Sequence, residues 1–383
     1  MTEGRHTESI TALLATAKKS SATVPACATQ VALAREGELL AFETFGRAHF
    51  GGESPGEREA DAETLFVMYS VTKAIVSGAT LLALQDGLFG LADRVAEYVP
   101  EFATLGKEAV TVEQLLTHTA GFPAARMPNP DWEDRERRLA HFAKWRAEWE
   151  PGSRFIYHGV ATMWVLAELL TRCSGSDYRD FIRDRILAPL QLRNVFIGLP
   201  DSERERVADV ISVGAPAKDV QRGKAPIDAP VIGEVLAREG NDPAWRHAGS
   251  PGSGGIATAA DVALYYQALL ADAEGRGTGL WQAQTVQDAW RIRNPELLDP
   301  MTQQPALRGL GFVMAGESGR IWRGFAEGCS ARTFGHMGAG GQVSWADPES
   351  GLSFVFLTNG AQQDPRRQGA NGVRLSTLAA RCA

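Results

Sequence analysis

The sequence predicts an α+β fold: an antiparallel sheet flanked by helices, with a mainly helical region inserted between two sheet-forming ends. Two observations carry this. Strand-like runs gather at the chain ends, at 28–46 and 307–360, while apolar residues between them recur mostly at helical spacing. At 383 residues and 44% apolar, the chain can also bury a substantial core beneath such a sheet. The expected division is one α/β unit made from residues 1–95 and 250–383, with residues 96–249 inserted as the helical region.

In chain order, "MTEGRHTESITALLATAKKSS" reads as a short amphipathic helix. "ATQVALA" (28–34) and "ELLAFETFG" (38–46) read as two strands joined at Glu36-Gly37. After the loop "GGESPGEREADAE", apolar residues recur at helical spacing from Val71 to Leu84, and "QDG" stops the helix. "TVEQLLTH" is a short helix with a Thr cap and an acid in its first turn, followed by the loop "TAGFP". Residues 135–149 read as a charged helix, and "EPGSRFIYHG" as a turn. "VATMWVLAELLTRCSG" is an apolar helix closing at Gly175, and "DYRDFIRDRILAPL" a further helix. Residues 198–255, rich in Gly and Pro, read as loop-dominated, and "TAADVALYYQALLADA" as a helix capped by Thr258. "LRGLGFVMA", "TFGHMGAGG", "QVSWADP" and "LSFVFLTNG" read as antiparallel strands with a hairpin at 348–351, before a closing helix at 373–381.

Charge and cysteine content exclude several classes. A net charge of −7 with 22% charged residues, both signs interleaved, leaves no basic stripe for nucleic acid. The four cysteines, Cys27, Cys173, Cys329 and Cys382, form no CxxC pair and suggest neither a zinc ribbon nor a disulfide framework; they read as small thiols in a reducing compartment. Acids before the N-terminal apolar patch and lysines after it reverse the order of a secretory signal. No run approaches the ~18 apolar residues of a membrane span. The expectation is a cytoplasmic protein.

Two serine motifs compete for a catalytic role. "GESPG" at 52–56 matches the G-x-S-x-G elbow around Ser54. That elbow uses the backbone N–H of the next residue, and Pro55 has none. In "LFVMYSVTKAIVSG", Ser70 and Lys73 stand three apart, which sets both side chains on one helix face. A Ser and a Lys so placed are often ordinary surface chemistry. A lysine becomes a usable base when burial pulls its pKa from ~10.4 towards 7–8. The apolar flanks Leu65 to Met68 and Ala74 to Val76 predict such burial. Two further places add company: Tyr157, between a Pro-Gly turn and an apolar helix, and the glycine-rich "GHMGAGG" at 335–341, where backbone can approach a substrate closely.

Together these places resemble the serine β-lactamase/penicillin-binding-protein superfamily. The resemblance is strongest to its esterase-like branch, related to class C β-lactamases and called the family VIII carboxylesterases. It spans residues 25–365 and is most specific in "MYSVTKAIVSGATLLALQDGLFGLADRVAEYVPEF", then "TVEQLLTHTAGF" and "FGHMGAGGQVSWADPESGLSFVFLTNG". It implies a β-lactamase/transpeptidase-like fold, with Ser70 as acylated nucleophile, Lys73 as its base and Tyr157 as a proton carrier. The backbone N–H groups of Ser70 and Ala339 would form the oxyanion hole. His336-Met337-Gly338 occupies the place of the family's Lys-Thr-Gly. Two departures stand out: Gly159 replaces the Asn of Tyr-x-Asn, and His336 replaces a fixed cation with a group mostly neutral at pH 7. Both argue against efficient processing of penicillins or D-Ala-D-Ala peptides.

Other residues have competing readings. His336, Gly338 and His158 are candidates for substrate contact, and Phe122, Tyr69 and Trp345 for pocket walls, with core packing the competing reading for the aromatics. His118 reads as a residue that holds a loop. His6, His49, His141 and His247 show no metal-ligand spacing, so no metal or cofactor is expected. The Gly/Pro-rich stretch is expected to overhang the cleft and govern substrate choice. The leading expectation is a serine carboxylesterase acting on a small ester. An acyltransferase with an alcohol or amine acceptor is the alternative, then a β-lactamase or D-amino-acid amidase. A non-enzymatic relative would be signalled by loss of the serine, lysine or tyrosine, and all three are present.

Overall fold

The computed structural model describes residues 2–22, 27–51, 56–216 and 232–383. Ser54 lies outside the described residues, as do residues 217–231 of the Gly/Pro-rich stretch. Near the N-terminus, β1 (Thr29–Arg35) turns into β2 (Glu38–Phe45) through Glu36 and Gly37, both at positive φ, 54° and 80°. Two such residues make the turn whose twist matches a hairpin. The C-terminal part supplies β3 (Val313–Met314), β4 (Phe334–Met337), β5 (Val343–Asp347) and β6 (Leu352–Thr358). All six form one sheet in the order β3-β4-β5-β6-β1-β2, with antiparallel neighbours throughout. β1 lies against β6 from Thr29 opposite Thr358 to Arg35 opposite Leu352, so the sheet is closed across the two ends of the chain.

The helices that frame the sheet and the site are α1 (Thr2–Ser21), α2 (Thr72–Gln85), α3 (Ala161–Ser174), α4 (Ala259–Ala273) and α5 (Pro365–Ala380). Successive strand residues point to opposite faces. Val31, Leu33, Trp345, Phe354 and Phe356 pack with Leu13 and Ala17 of α1 and Leu375 and Ala379 of α5. Ala32, Ala34, Val355 and Leu357 face the other way, into the core that holds Val262 and Tyr266 of α4 and Ala74 and Ile75 of α2. The strands buried on both faces therefore read as continuous apolar runs. α2 is buried from Thr72 to Ala83, as its all-round apolar and small residues require.

Several elements differ from the sequence reading. The helix expected over 135–149 ends at Lys144, because Trp145 turns extended and buries its ring, its indole N–H donating to Arg126 O at 3.0 Å. The strand expected over 307–315 pairs with β4 only at Val313–Met314; its earlier part loops away, Leu310 N–H bonding Ala289 O and Gly311 N–H bonding Leu116 O. The last helix starts at Pro365, eight residues before the expected start at 373, with Asp364 capping it. Within 198–255 the described residues include helices Ile232–Asn241 and Pro243–Ala248 and the strand Ile211–Val213. Their partners are distant, Ile211–Val213 pairing with Gly360–Gln362, which local periodicity cannot show. Beyond Ile182 the next helix widens into a π turn over Arg183–Leu187 and stops short of 190. None of the four cysteines is in a disulfide. Among the described residues no helix is long and apolar enough to cross a membrane.

Candidate active site

The short strand Phe66–Val67 pairs with Gly255–Ala257, and Met68 N–H bonds Gly255 O at 2.8 Å. The chain then makes a single 3-10 turn, Tyr69–Val71, before entering α2. Tyr69 is held at φ 46°, a conformation that is costly for a residue with a side chain. Its hydroxyl donates to Leu236 O at 2.8 Å and its ring lies against Trp245, which pins the strain in place. Ser70 is thereby presented at the mouth of the buried helix. One turn on, Lys73 Nζ lies 3.2 Å from Ser70 Oγ and 2.6 Å from Gly252 O. The Tyr157 hydroxyl lies 3.0 Å from the same Oγ. Lys73 Nζ also sits 5.1 Å from the centroid of the Tyr157 ring. Lys73 is fully buried, and burial pulls its pKa down; Tyr157 opposes this and the charge of Arg308 adds to it.

Ser70 and Ala339 both fall in the first turn of a 3-10 helix, Tyr69–Val71 and Ala339–Gly341, where N–H groups have no intrahelical acceptor. Gly338 makes the approach of β4 to the serine turn possible: a Cβ there would stand 2.5 Å from Met68 O. His336, opposite Ser344 on β5, faces the site side of the sheet with its ring 6.0 Å from that of Tyr157. Its Nδ1 bonds Met337 O at 2.8 Å, and its Nε2 is buried without a partner. Burial, with the charges of Lys73 and Arg308, holds this imidazole well below its usual pKa. Gly159 is exposed, and a Cβ there would meet nothing within 4 Å. The place where the resemblance expects an amide is open space.

Not every expected residue reaches the site. Trp345 points to the opposite face of the sheet, packs on Phe354 and donates its indole N–H to Ser376 of α5; strand alternation puts Ser344 on the site side instead. Phe122 is buried between Phe102, Trp145 and His158, so it belongs to the packing beneath the cleft. Tyr69 is buried and buttresses the serine turn through Leu236 and Trp245. His158 is buried and fully committed: its Nδ1 bonds Ile156 O at 2.7 Å, and its Nε2 accepts the Phe122 N–H at 2.9 Å. That pairing fixes a neutral ring, and burial lowers its pKa to about 4. His158 braces the Tyr157 loop from behind. His118, at φ 57°, accepts the His158 N–H and sets its ring 4.8 Å from Tyr157.

Two contributors were not anticipated. Gly252 lies in "GSPGSGG", within the stretch that reads only as a Gly/Pro-rich loop. Arg308, in the predicted strand "LRGLGFVMA", lies over the Tyr157 ring at 5.5 Å. A lone arginine inside an apolar strand pattern was the available signal. Among the described residues no group of three His, Cys, Asp or Glu side chains is placed to hold a metal ion. A cavity of 560 Å³ lined by Glu133, Arg179, Phe196, Ile197 and His247 includes none of Ser70, Lys73, Tyr157, His336 or Arg308.

Comparison with known proteins agrees with this fold. A family model described as Beta-lactamase matches residues 22–379. The chain is 27% identical over 316 residues, 78% of its length and 70% of the relative's, to "Esterase/beta-lactamase LipL" of Mycobacterium tuberculosis. Among solved structures it is similar to a family VIII carboxylesterase, with a TM-score of 0.77, 27% identity and coverage of 99% and 98% of the two chains. It is likewise similar to a penicillin-binding protein homolog from Caulobacter crescentus, with a TM-score of 0.76, 26% identity and 98% of each chain covered.

Proposed function

The chain belongs to the beta-lactamase family of serine hydrolases, and from that premise we propose that it cleaves small carboxylic esters through an acyl-enzyme on Ser70. The observation that carries this reading is the position of Ser70 Oγ, 3.2 Å from a fully buried lysine amine and 3.0 Å from a tyrosine hydroxyl. A neutral Lys73 takes the hydroxyl proton as Oγ attacks the ester carbonyl. The carbonyl π pair moves to oxygen, where the N–H groups of Ser70 and Ala339 receive the charge. Collapse breaks the bond to the alkoxide, which leaves with a proton from Tyr157, and the Lys73 ammonium restores that proton. Water then attacks the acyl carbonyl, giving one proton back through Tyr157 and Lys73 to Ser70 Oγ as the acid departs. Every proton taken in the first half is returned in the second.

A second reading, transfer of the acyl group to an alcohol or amine, is favoured by the open space at Gly159, two residues from Tyr157, where an acceptor can approach. The test is labelling by a fluorophosphonate read by intact mass, followed by turnover of short p-nitrophenyl esters with and without added alcohols and amines. Wild type should gain one adduct and Ser70→Ala none. An unlabelled wild type, or an adduct that survives in Ser70→Ala, would defeat the mechanism. A transferase makes the transfer product in preference to free acid at millimolar acceptor; a hydrolase does not.

A further inference from the structure

Arg308 is 8% exposed, and its Nε and Nη1 are buried without a hydrogen-bond partner. Its guanidinium carbon lies 5.2 Å from the ring centroid of Phe155 and 5.5 Å from that of Tyr157. Removing a charge from water is costly, and a buried arginine ordinarily recovers that cost on a carboxylate. Here the stacked rings take that place. Burial lowers the pKa of Arg308 from its ordinary value; of the charges that act on it, Tyr157 and Asp299 favour the guanidinium and Arg323 opposes it.

The polar and ionisable groups around Lys73 come from several segments. Ser70 comes from the serine turn, Tyr157 and His158 from the loop before α3, and His118 from the loop after the 112–116 helix. His336 comes from β4 and Arg308 from the segment before β3. None of these is a carboxylate. His118, His158 and His336 are held neutral by burial. Arginine keeps its proton across the whole working range of pH. Its charge therefore persists beside a lysine that must lose one.

Resting on the roles given above to Ser70 and Lys73, we propose that Arg308 is a positioning residue: its fixed charge, lodged against the Tyr157 ring that Lys73 also contacts, keeps the Lys73 amine free of its proton at neutral pH and so open to the Ser70 hydroxyl. A like charge disfavours the ammonium, so removing it lets Lys73 hold its proton to higher pH. His336 provides no fixed cation at the place where the resemblance expects one; Arg308 supplies it from a different segment.

The test needs no knowledge of the natural substrate. The rate at which a neutral fluorophosphonate modifies Ser70 is measured by intact mass from pH 6 to 10 in wild type, Arg308→Gln and Arg308→Lys. In Arg308→Gln the acid limb should move up by about one unit or more, so labelling at a given pH on that limb falls about tenfold and recovers at high pH. Arg308→Lys, which restores the charge, should bring the limb back towards wild type. If Arg308→Gln does not fold, Arg308→Met fills the same space without a new unpaired amide and carries the same expectation. An acid limb that stays where it is in the neutral variants overturns the proposal, whether the rate falls equally at every pH, as for a packing role, or not at all, as for a site serving only anionic substrates. A wild type that gains no adduct at Ser70 overturns the nucleophile instead, so the two failures are told apart.

Discussion

Three residues apart on a helix, a serine and a lysine share a face, yet only burial turns that spacing into chemistry. Lys73 donates to Gly252 O, lies beside Ser70 and is wholly removed from water, so its ammonium is disfavoured. Replacing it should therefore cost rate more than stability. In Lys73→Ala, turnover of p-nitrophenyl esters should fall by about 10²–10⁴-fold, with the circular dichroism spectrum unchanged; substantial residual hydrolysis would place the base elsewhere. His158 and His336, the other candidate bases, are poor ones here, since each is buried and neutral and the first already uses both ring nitrogens. Ser70 and Lys73 were legible from their spacing, and Tyr157 from the resemblance. Arg308 was not, because its partners Phe155 and Tyr157 lie about 150 residues earlier in the chain, and no local pattern encodes that meeting.

Among the elements, β4 and the serine turn have to touch, and Gly338 is where they do. Its missing Cβ leaves room for Met68 O, a backbone atom that cannot swing aside as a flexible side chain would. Gly338→Ala should push β4 away from Ser70 and displace the Ala339 N–H, lowering kcat by about 10²–10³-fold, the scale seen when one oxyanion donor is lost; a near-wild-type kcat would count against that donor. On the far face of β5, Trp345→Leu removes packing against Phe354 and α5 and should lower stability by about 1–3 kcal/mol in denaturant unfolding. The rate of Ser70 labelling in the folded variant should stay as in wild type. The strands were readable as strands, but β5 is buried on both faces, so hydrophobicity alone did not say whether Trp345 or Ser344 faced the site.

At the scale of the molecule, three of the buried imidazoles among the described residues, His118, His158 and His336, give stability a pH dependence. Each has its pKa lowered by burial, that of His158 to about 4. Between about 6.5 and 4 the unfolded chain binds protons that the folded protein refuses, so stability is full above that window and declines as pH falls through it. The melting temperature should accordingly drop steadily from pH 7 to pH 5, and a flat profile would contradict the buried neutral rings. The same long-range closure joins the chain ends: Asn359 Oδ1 accepts Ala28 N–H at 2.6 Å, and its Nδ2 donates to Arg47 O at 3.1 Å, tying the start of β1 to the end of β6. What the sequence by itself determined was most of the order of elements and the spacing of Ser70 and Lys73, since spacing, caps and apolar period are local properties of the chain; Tyr157 was named through the resemblance. Only tertiary structure decided which face Trp345 takes, that His158 is a brace, and that Arg308 lies on Tyr157, because each depends on contacts between segments far apart in sequence.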